Sequence, residues 1–369
     1  MLKDFTFRND TRLIFGNDIR ETMANIAKGK KVMLVYGGGS IKRNGCHADI
    51  TEALAQANVP FVEYGGSSRE MEKIEDGIRM AKASGVTMII GAGGASVMDS
   101  AKLIAFGCYH ETDLWDYLKG KSPYGLQRLP LALIPTYPSS GSENGLGAVA
   151  VSSRSGDFGT AYGIPADYAI LCPKYSLTLG KEMTAYTGLV TLVQLSACIL
   201  GDRNRMSYDA GISYIKNVLE ATRTLQTHPD NLDARGTIML GASLSTSSRL
   251  GIGKTEPFAY DIYELEFLPE ALFGSTYRRS LTSIFPHFLN IMGRHHEEDV
   301  RRYFLDAFGY DTSIEESSRK LTELFSSFGV PMAYEGEVSR GQVDAIPCHT
   351  ELSKEEVFEI VSLLTSSSC

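Results

Sequence analysis

The chain has 369 residues, 43% of them hydrophobic and 22% charged, which suits two globular domains and excludes a disordered or fibrous protein. Lys plus Arg number 36 against 44 Asp plus Glu, and the net charge of −8 argues against wrapping nucleic acid or lying on an anionic membrane. The six cysteines contain no CxxC pair, the N-terminus carries no apolar signal core and no run of about 18 apolar residues occurs, so a cytoplasmic protein with reduced thiols is expected.

Residues 6–15 alternate loosely and read as an edge strand or hairpin. Residues 31–36 (KVMLVY) form a short β-rich run that stops at three glycines. Residues 51–56 read as helix, 61–64 as strand and 70–84 as a charged amphipathic helix. Residues 86–90 (VTMII) form a second buried strand, again stopped by glycines, and a helix follows over 96–106. Residues 131–135 (LALIP) make a third such strand. Strands alternating with helices predict a parallel sheet covered on both faces. From residue 184 the pattern turns helical, over 184–200, 209–225, 233–250, 276–292, 297–308, 314–328 and 354–364. The expected organisation is an α/β domain over residues 1–178 and an all-α domain over 179–369.

Two glycine loops carry the first functional signal. Gly37-Gly38-Gly39-Ser40 follows one strand directly, with Lys42 and Arg43 just beyond. Gly91-Ala92-Gly93-Gly94-Ala95-Ser96 follows another, with Asp99 and Lys102 on the next helix. Glycine lets backbone approach a phosphate, and the N–H groups of a helix start attract the anion. Two such loops at strand C-terminal ends could grip a dinucleotide; alternatively they are two tight strand-to-helix turns. The first loop has no acidic residue, while Ser40 and Lys42 offer a donor and a cation. This favours a 2′-phosphate, hence NADP(H) over NAD(H), unless Lys42 and Arg43 simply begin a solvated helix.

Residues 36–45 (YGGGSIKRNG), 90–102 (IGAGGASVMDSAK), 113–116 (DLWD), 134–143 (IPTYPSSGSE) and 169–179 (AILCPKYSLTL) together resemble motifs of the iron-containing, or group III, alcohol dehydrogenases, in particular the butanol dehydrogenase-like aldehyde reductases. The resemblance implies a Rossmann-like domain binding NAD(P)(H), a helical domain, catalysis in the cleft between them, and a homodimer in which the N-terminal strand crosses to the neighbouring subunit. By position, Gly37, Gly38, Gly39 and Ser40 would face the adenosine phosphate. Gly93, Gly94, Ala95, Ser96 and Asp99 would meet the pyrophosphate and nicotinamide ribose, and Thr136 and Ser140 would line the adenine or nicotinamide cleft. Ala95 stands where that family usually has a third glycine.

The family's metal ligands are an Asp, a His four residues later and two further His. Here the matching positions hold Thr191, Leu195, Asp261 and, near the fourth, Tyr277; a further family histidine falls at Leu265. Leucine cannot coordinate and neutral threonine is a poor ligand for iron or zinc, so no metal is expected. None of the seven histidines has HxxxH or HExxH spacing. The His295-His296 pair reads as a solvated helix start, and His287 as structural. Asp261, Tyr277 and Tyr260 are the candidate catalytic residues, with tyrosine as a hydrogen-bond donor or general acid in place of the metal.

The expectation is therefore a metal-independent NADP(H)-dependent oxidoreductase acting on a small carbonyl, imine or alcohol. Two alternatives stay open: a non-catalytic nucleotide-binding relative, and a lyase or cyclase on the same fold.

Overall fold

The computed structural model describes residues 4–110, 113–120, 127–202, 204–253 and 258–365. The chain divides into two compact units. The N-terminal unit is Arg8–Leu179 with Ala242–Ser248; the C-terminal unit is Met1–Phe7, Gly180–Gly241 and Arg249–Cys369. The main division thus falls between Leu179 and Gly180, and each unit also holds a short segment from the other half of the chain.

The N-terminal unit is Rossmann-like. Its elements are β1 (Arg12–Phe15), α1 (Arg20–Ala27), β2 (Val32–Tyr36), α2 (Ser40–Arg43), α3 (Cys46–Gln56), β3 (Phe61–Tyr64), α4 (Met71–Ala83), β4 (Met88–Gly93), α5 (Ala95–Gly107), α6 (Leu114–Leu118), β5 (Leu131–Pro135), β6 (Ala148–Val151), β7 (Phe158–Ala161) and β8 (Tyr168–Leu171). Six strands form one parallel sheet in the order β1-β8-β5-β4-β2-β3. Successive side chains of a strand point to opposite faces. Accordingly Val32 and Leu34 pack with Met23, Ile50 and Leu54 of α1 and α3, whereas Met33 and Val35 pack with Ile74 of α4 and Val97 and Ala101 of α5.

Two expectations need correction here. The opening strand or hairpin over 6–15 is only β1, a four-residue edge strand parallel to β8. Asn9 accepts from the Thr11 N–H and Thr11 Oγ1 donates to Ala166 O, so side chains and not a ladder lead the chain in. The antiparallel pair β6–β7 was not expected at all. Its strands are four residues each, too short for alternation to stand out.

The C-terminal unit is helical: α7 (Lys181–Ile199), α8 (Arg205–Thr227), α9 (Leu232–Ser245), α10 (Ile262–Leu265), α11 (Phe267–Phe273), α12 (Tyr277–Met292), α13 (Glu297–Phe308), α14 (Ile314–Ser326), α15 (Arg340–Asp344) and α16 (Lys354–Thr365), with the last residues of α9 grouping with the other unit. Helix α7 is buried on every side from Thr184 to Ile199, as an almost uninterrupted apolar run requires. It meets α8 closely at two glycines. A Cβ on Gly188 would overlap Thr222 Oγ1, and one on Gly211 would overlap Ile199 Cγ2. Helix α9 ends earlier than the expected residue 250, before Ser248 turns to φ +59°.

Candidate functional site

Strands β2 and β4 are neighbours, with Tyr36 in register with Ala92. The chain leaves β2 toward β3 on one side and returns to β4 on the other, so the sheet order reverses between them. Ligands of such sheets bind beyond the strand C-termini at that reversal. Both glycine loops start there.

The first loop is open. Gly38, Gly39, Ser40, Lys42 and Arg43 are exposed, and nothing lies within 4 Å of a Cβ built on Gly38. A Cβ on Gly37 would lie 3.1 Å from Val97 Cγ2, so the first loop packs on the start of α5. The second loop owes its glycines to packing as well as to access. A Cβ on Gly91 would lie 2.6 Å from Ala101 Cβ and 2.8 Å from Leu133 Cδ2; one on Gly93 would lie 3.0 Å from Val97. These glycines draw α5 down onto β4. Gly94 then precedes a helix with no side-chain cap and no acidic residue in its first turn. The first N–H groups of any α-helix lack intrahelical partners, and with the helix dipole they favour an anion. Ala95, in place of a third glycine, is the first residue of α5 and leaves those N–H groups in place.

Other expected nucleotide contacts lie deeper. Asp99 is 7% exposed, and its carboxylate accepts from Ser142 Oγ (2.6 Å) and the Val149 N–H (3.3 Å). Burial pushes its pKa upward. It braces the 140–149 segment from inside. The Thr136 N–H donates to Gly93 O (2.9 Å), holding the second loop, and Ser140 Oγ accepts from the Ser142 N–H (3.2 Å).

Sequence reading gave no role to three groups that the fold makes prominent. Lys102 is fully buried and donates to Gly145 O and Gly147 O, both at 2.8 Å, and burial lowers its pKa to about 8. Asp99 and Lys102 lie three residues apart on α5, so that spacing was a usable signal. Glu143, 1% exposed, is pushed up to about 7 by burial. Glu63 on β3 accepts from Tyr36 OH (2.9 Å) and pairs with His47 Nε2 (2.8 Å), which holds its carboxyl below the usual range; Lys42 Nζ lies 5.5 Å from the Tyr36 ring centroid. Only the sheet order brings Glu63 beside the first loop.

The raised Glu143 carboxyl has a consequence for stability. Between its ordinary value and about 7 the folded chain holds a proton that the unfolded chain has released, so this group's contribution falls as pH rises across that window. Glu143→Gln should flatten the pH dependence of urea unfolding there. An unchanged slope would show that Glu143 does not retain its proton.

The positions matched to metal ligands lie in the C-terminal unit. Thr191 and Leu195 are fully buried on α7, and a Cβ on Gly241 would sit 3.1 Å from Thr191 Cγ2 and 3.8 Å from Leu195 Cδ1. Thr191 Oγ1 has no hydrogen-bond partner among the described residues. Asp261 Oδ2 accepts from Thr350 Oγ1 (2.6 Å) and the Glu351 N–H (2.8 Å), so its carboxylate secures the chain ahead of α16. Tyr277 OH accepts from Gln194 Nε2 (2.9 Å). Tyr260 is 43% exposed, its ring 6.2 Å from that of Tyr263. Leu265 is buried, and burial lowers the His287 pKa to about 4. Among the described residues no three His, Cys, Asp or Glu side chains converge as a metal site would need. A hydrocarbon, a lone hydroxyl, a phenol and a carboxylate engaged elsewhere do not fit iron or zinc.

Comparison with known proteins finds similarity in both sequence and fold. The family description "iron-containing alcohol dehydrogenase" matches residues 10–173. NADH-dependent butanol dehydrogenase A of Clostridium acetobutylicum is 26% identical over 346 residues, 89% of this chain and 87% of that protein. The NADPH-dependent aldehyde reductase YqhD of Escherichia coli is 26% identical over 302 residues, 78% and 76% of the two chains. In fold, the crystal structure of NADH-dependent butanol dehydrogenase A from Thermotoga maritima superposes with a TM-score of 0.89 at 22% identity, covering 99% of each chain.

Proposed function

We propose that the chain, an NAD(P)-dependent enzyme of alcohol dehydrogenase type whose residues 10–173 match the iron-containing alcohol dehydrogenases, is a metal-independent, NADP(H)-preferring oxidoreductase that reduces a small carbonyl or imine or oxidises the matching alcohol. The observation that carries this reading is the pair of glycine loops on adjacent strands β2 and β4, with an uncapped α5 start. Gly93, Gly94, Ala95 and Ser96 would hold the pyrophosphate. Gly37, Gly38, Gly39, Ser40 and Lys42 would hold the adenosine end. When bound, the nicotinamide supplies or accepts the hydride.

The preference for NADP(H) is supported by Lys42 and Arg43, exposed beside the open first loop. Glu63, hydrogen-bonded to Tyr36 just ahead of that loop, has its charge engaged by His47 and Tyr36. For the substrate oxygen or nitrogen we propose Tyr277 as hydrogen-bond donor. The Gln194 amide occupies a lone pair of the phenol oxygen, which strengthens O–H donation. Tyr260 and Asp261 are proposed to flank it, Asp261 through the segment it secures. The four substituted ligand positions equally favour a second reading, a nucleotide-binding relative without turnover. NADPH oxidation against a panel of aldehydes and imines separates the two: tight nucleotide binding with no turnover of any member would sink the oxidoreductase.

Metal content is a separate expectation. Protein expressed in iron- and zinc-supplemented medium should carry well below about one equivalent of either, because tight binding needs three or four N, O⁻ or S⁻ donors at about 2.0–2.3 Å. About one equivalent, lost in Asp261→Ala, would return the protein to metal-dependent chemistry.

We also propose a homodimer. Strand β1 is a sheet edge, and Phe15 on it is 49% exposed, with Phe5 and Phe7 exposed in the preceding segment. Exposed apolar edges are usually paired or covered. Light scattering at micromolar concentration should give twice the chain mass; a monomer would count against it.

A further inference from the structure

Four side chains meet around the start of the first glycine loop: Tyr36, Lys42, His47 and Glu63. Tyr36 ends β2, and its hydroxyl donates to Glu63 Oε2 on the neighbouring strand β3 (2.9 Å). His47, in the first turn of α3, places Nε2 2.8 Å from the same oxygen, and its ring meets the Tyr36 ring edge to face at 5.6 Å. Both bonds fall on Oε2, so Glu63 Oε1 has no hydrogen-bond partner among the described residues. Lys42 of α2 is exposed, forms no ion pair with any described residue, and holds Nζ 5.5 Å from the centroid of that same Tyr36 ring. The ring packs on Gly65, where an added Cβ would lie 2.9 Å from it. The Ser67 and Gly66 N–H groups donate to Tyr36 O (3.0 Å) and Gly37 O (2.9 Å), which ties the turn after β3 to the loop itself.

Of these four, the imidazole is the group whose charge changes near neutral pH. The His47 hydrogen bond, ahead of the one from Tyr36, holds the Glu63 carboxyl below the ordinary carboxylate range, so it stays ionised. Burial, and then the bond to Glu63, push the Tyr36 phenol up, so it keeps its proton and goes on donating. A neutral imidazole still donates from Nε2, so losing its proton removes a charge and leaves the bond in place. Other charged groups around α3 are engaged elsewhere. Asp49 Oδ2 is held by Lys174 Nζ (2.6 Å) and Tyr175 OH (2.7 Å). Arg20 of α1, which packs on α3, pairs with Asp18 (2.6 Å). Arg43 lies by Gly39 instead, its Nη1 3.4 Å from that glycine's Cβ position. Lys42 is the cation that acts on Glu63 through the Tyr36 ring edge.

We propose that the charge on His47 sets the cofactor selectivity of this chain, so that the preference for NADP(H) over NAD(H) falls as pH rises through neutrality. With His47 protonated, Glu63 is compensated and Lys42 is available to a 2′-phosphate. With His47 neutral, the uncompensated Glu63 draws Lys42 to itself and repels the phosphate, and its open Oε1 accepts from free ribose hydroxyls. The inference rests on the reading above, in which the first loop holds the adenosine end and Lys42 serves a 2′-phosphate. The phosphate by itself predicts the opposite trend. Its last ionisation, near pH ~6, adds negative charge as pH rises and strengthens its attraction to a cation. The sign of the pH dependence therefore tells the two effects apart.

NADPH and NADH are titrated by fluorescence at about pH 6 and about pH 8, on either side of the imidazole range and at constant ionic strength. The proteins are the unsubstituted full chain, Glu63→Gln, His47→Gln and Lys42→Met. The readout is the ratio of the NADH to the NADPH dissociation constant. Glu63→Gln keeps the phosphate's own ionisation and removes the coupled carboxylate, so it gives the baseline slope. Relative to that baseline, the ratio in the unsubstituted chain should fall about threefold to fivefold from the lower to the higher pH, the upper range for a partly exposed charge pair. His47→Gln keeps a donor that cannot be charged, so it should follow the baseline slope with a lower ratio at both pH values. If thermal melts show that one glutamine variant fails to fold, the other supplies the slope for comparison. Parallel slopes in the unsubstituted chain and a folded glutamine variant overturn the proposal. Lys42→Met separates this outcome from failure of the reading beneath it. NADPH affinity unchanged in Lys42→Met would mean that the first loop does not serve a 2′-phosphate, and both would fall. Weakened NADPH binding there, with parallel slopes elsewhere, would leave the NADP(H) reading standing and sink the His47 coupling alone.

Discussion

Gly141→Ala is expected to destabilise the protein by about 3 kcal/mol, combining about 1–2 kcal/mol for a left-handed alanine with about 1–3 kcal/mol for forced overpacking. Gly141 adopts φ +65°, and a Cβ there would overlap the Ala242 carbonyl oxygen and Thr246 Oγ1. Its own carbonyl accepts from Thr246 Oγ1 (2.6 Å), a bond that any backbone shift would disturb. Gly29 is the control. It has φ +72° with nothing within 4 Å of its Cβ position, so Gly29→Ala should cost only the backbone part, about 1–2 kcal/mol. Urea unfolding of both variants checks this. Equal losses would mean that the 141 turn yields easily and does not position Ser140, Ser142 and Glu143.

Gly39→Asp should weaken NADPH binding roughly tenfold or more while sparing NADH, a selectivity of at least about 1.4 kcal/mol. Gly39 is the N-cap of α2, and its Cβ position lies 3.4 Å from Arg43 Nη1. Aspartate is a favourable N-cap and would pair with that guanidinium, so folding should not suffer. What changes is the local field. The new carboxylate repels a 2′-phosphate, takes Arg43 away from it, and can accept from free ribose hydroxyls. Fluorescence titration of both nucleotides against both proteins is the measurement. Tighter NADH than NADPH binding in the unsubstituted chain would show that Glu63, not the Lys42–Arg43 pair, governs the adenosine end.

Much of this protein was legible in its sequence because the signals were local. The run LALIP is β5 over the same five residues, and FVEY is β3. The charged 70–84 stretch is α4, and the apolar run after Gly180 is the buried α7. Gly-rich segments directly after β-rich runs marked both glycine loops, since only glycine tolerates the close packing of Gly91 and Gly93 against α5. The loss of ligating side chains at Leu195 and Tyr277 also needed no coordinates, because hydrocarbon and phenol are poor ligands wherever they sit.

Direction and partnership were decided by tertiary structure. Asp99 stands on the loop-bearing helix, but only the return of residues 140–149 across it turns its carboxylate inward to Ser142 and Val149. Asp261 matches a ligand position, yet the chain ahead of α16 claims its oxygen from about ninety residues away. Glu63 reaches Tyr36 and His47 because β3 and β2 are neighbours in the sheet. A residue's type sets which bonds it can make; which of them it does make depends on groups that only folding brings within about 3 Å.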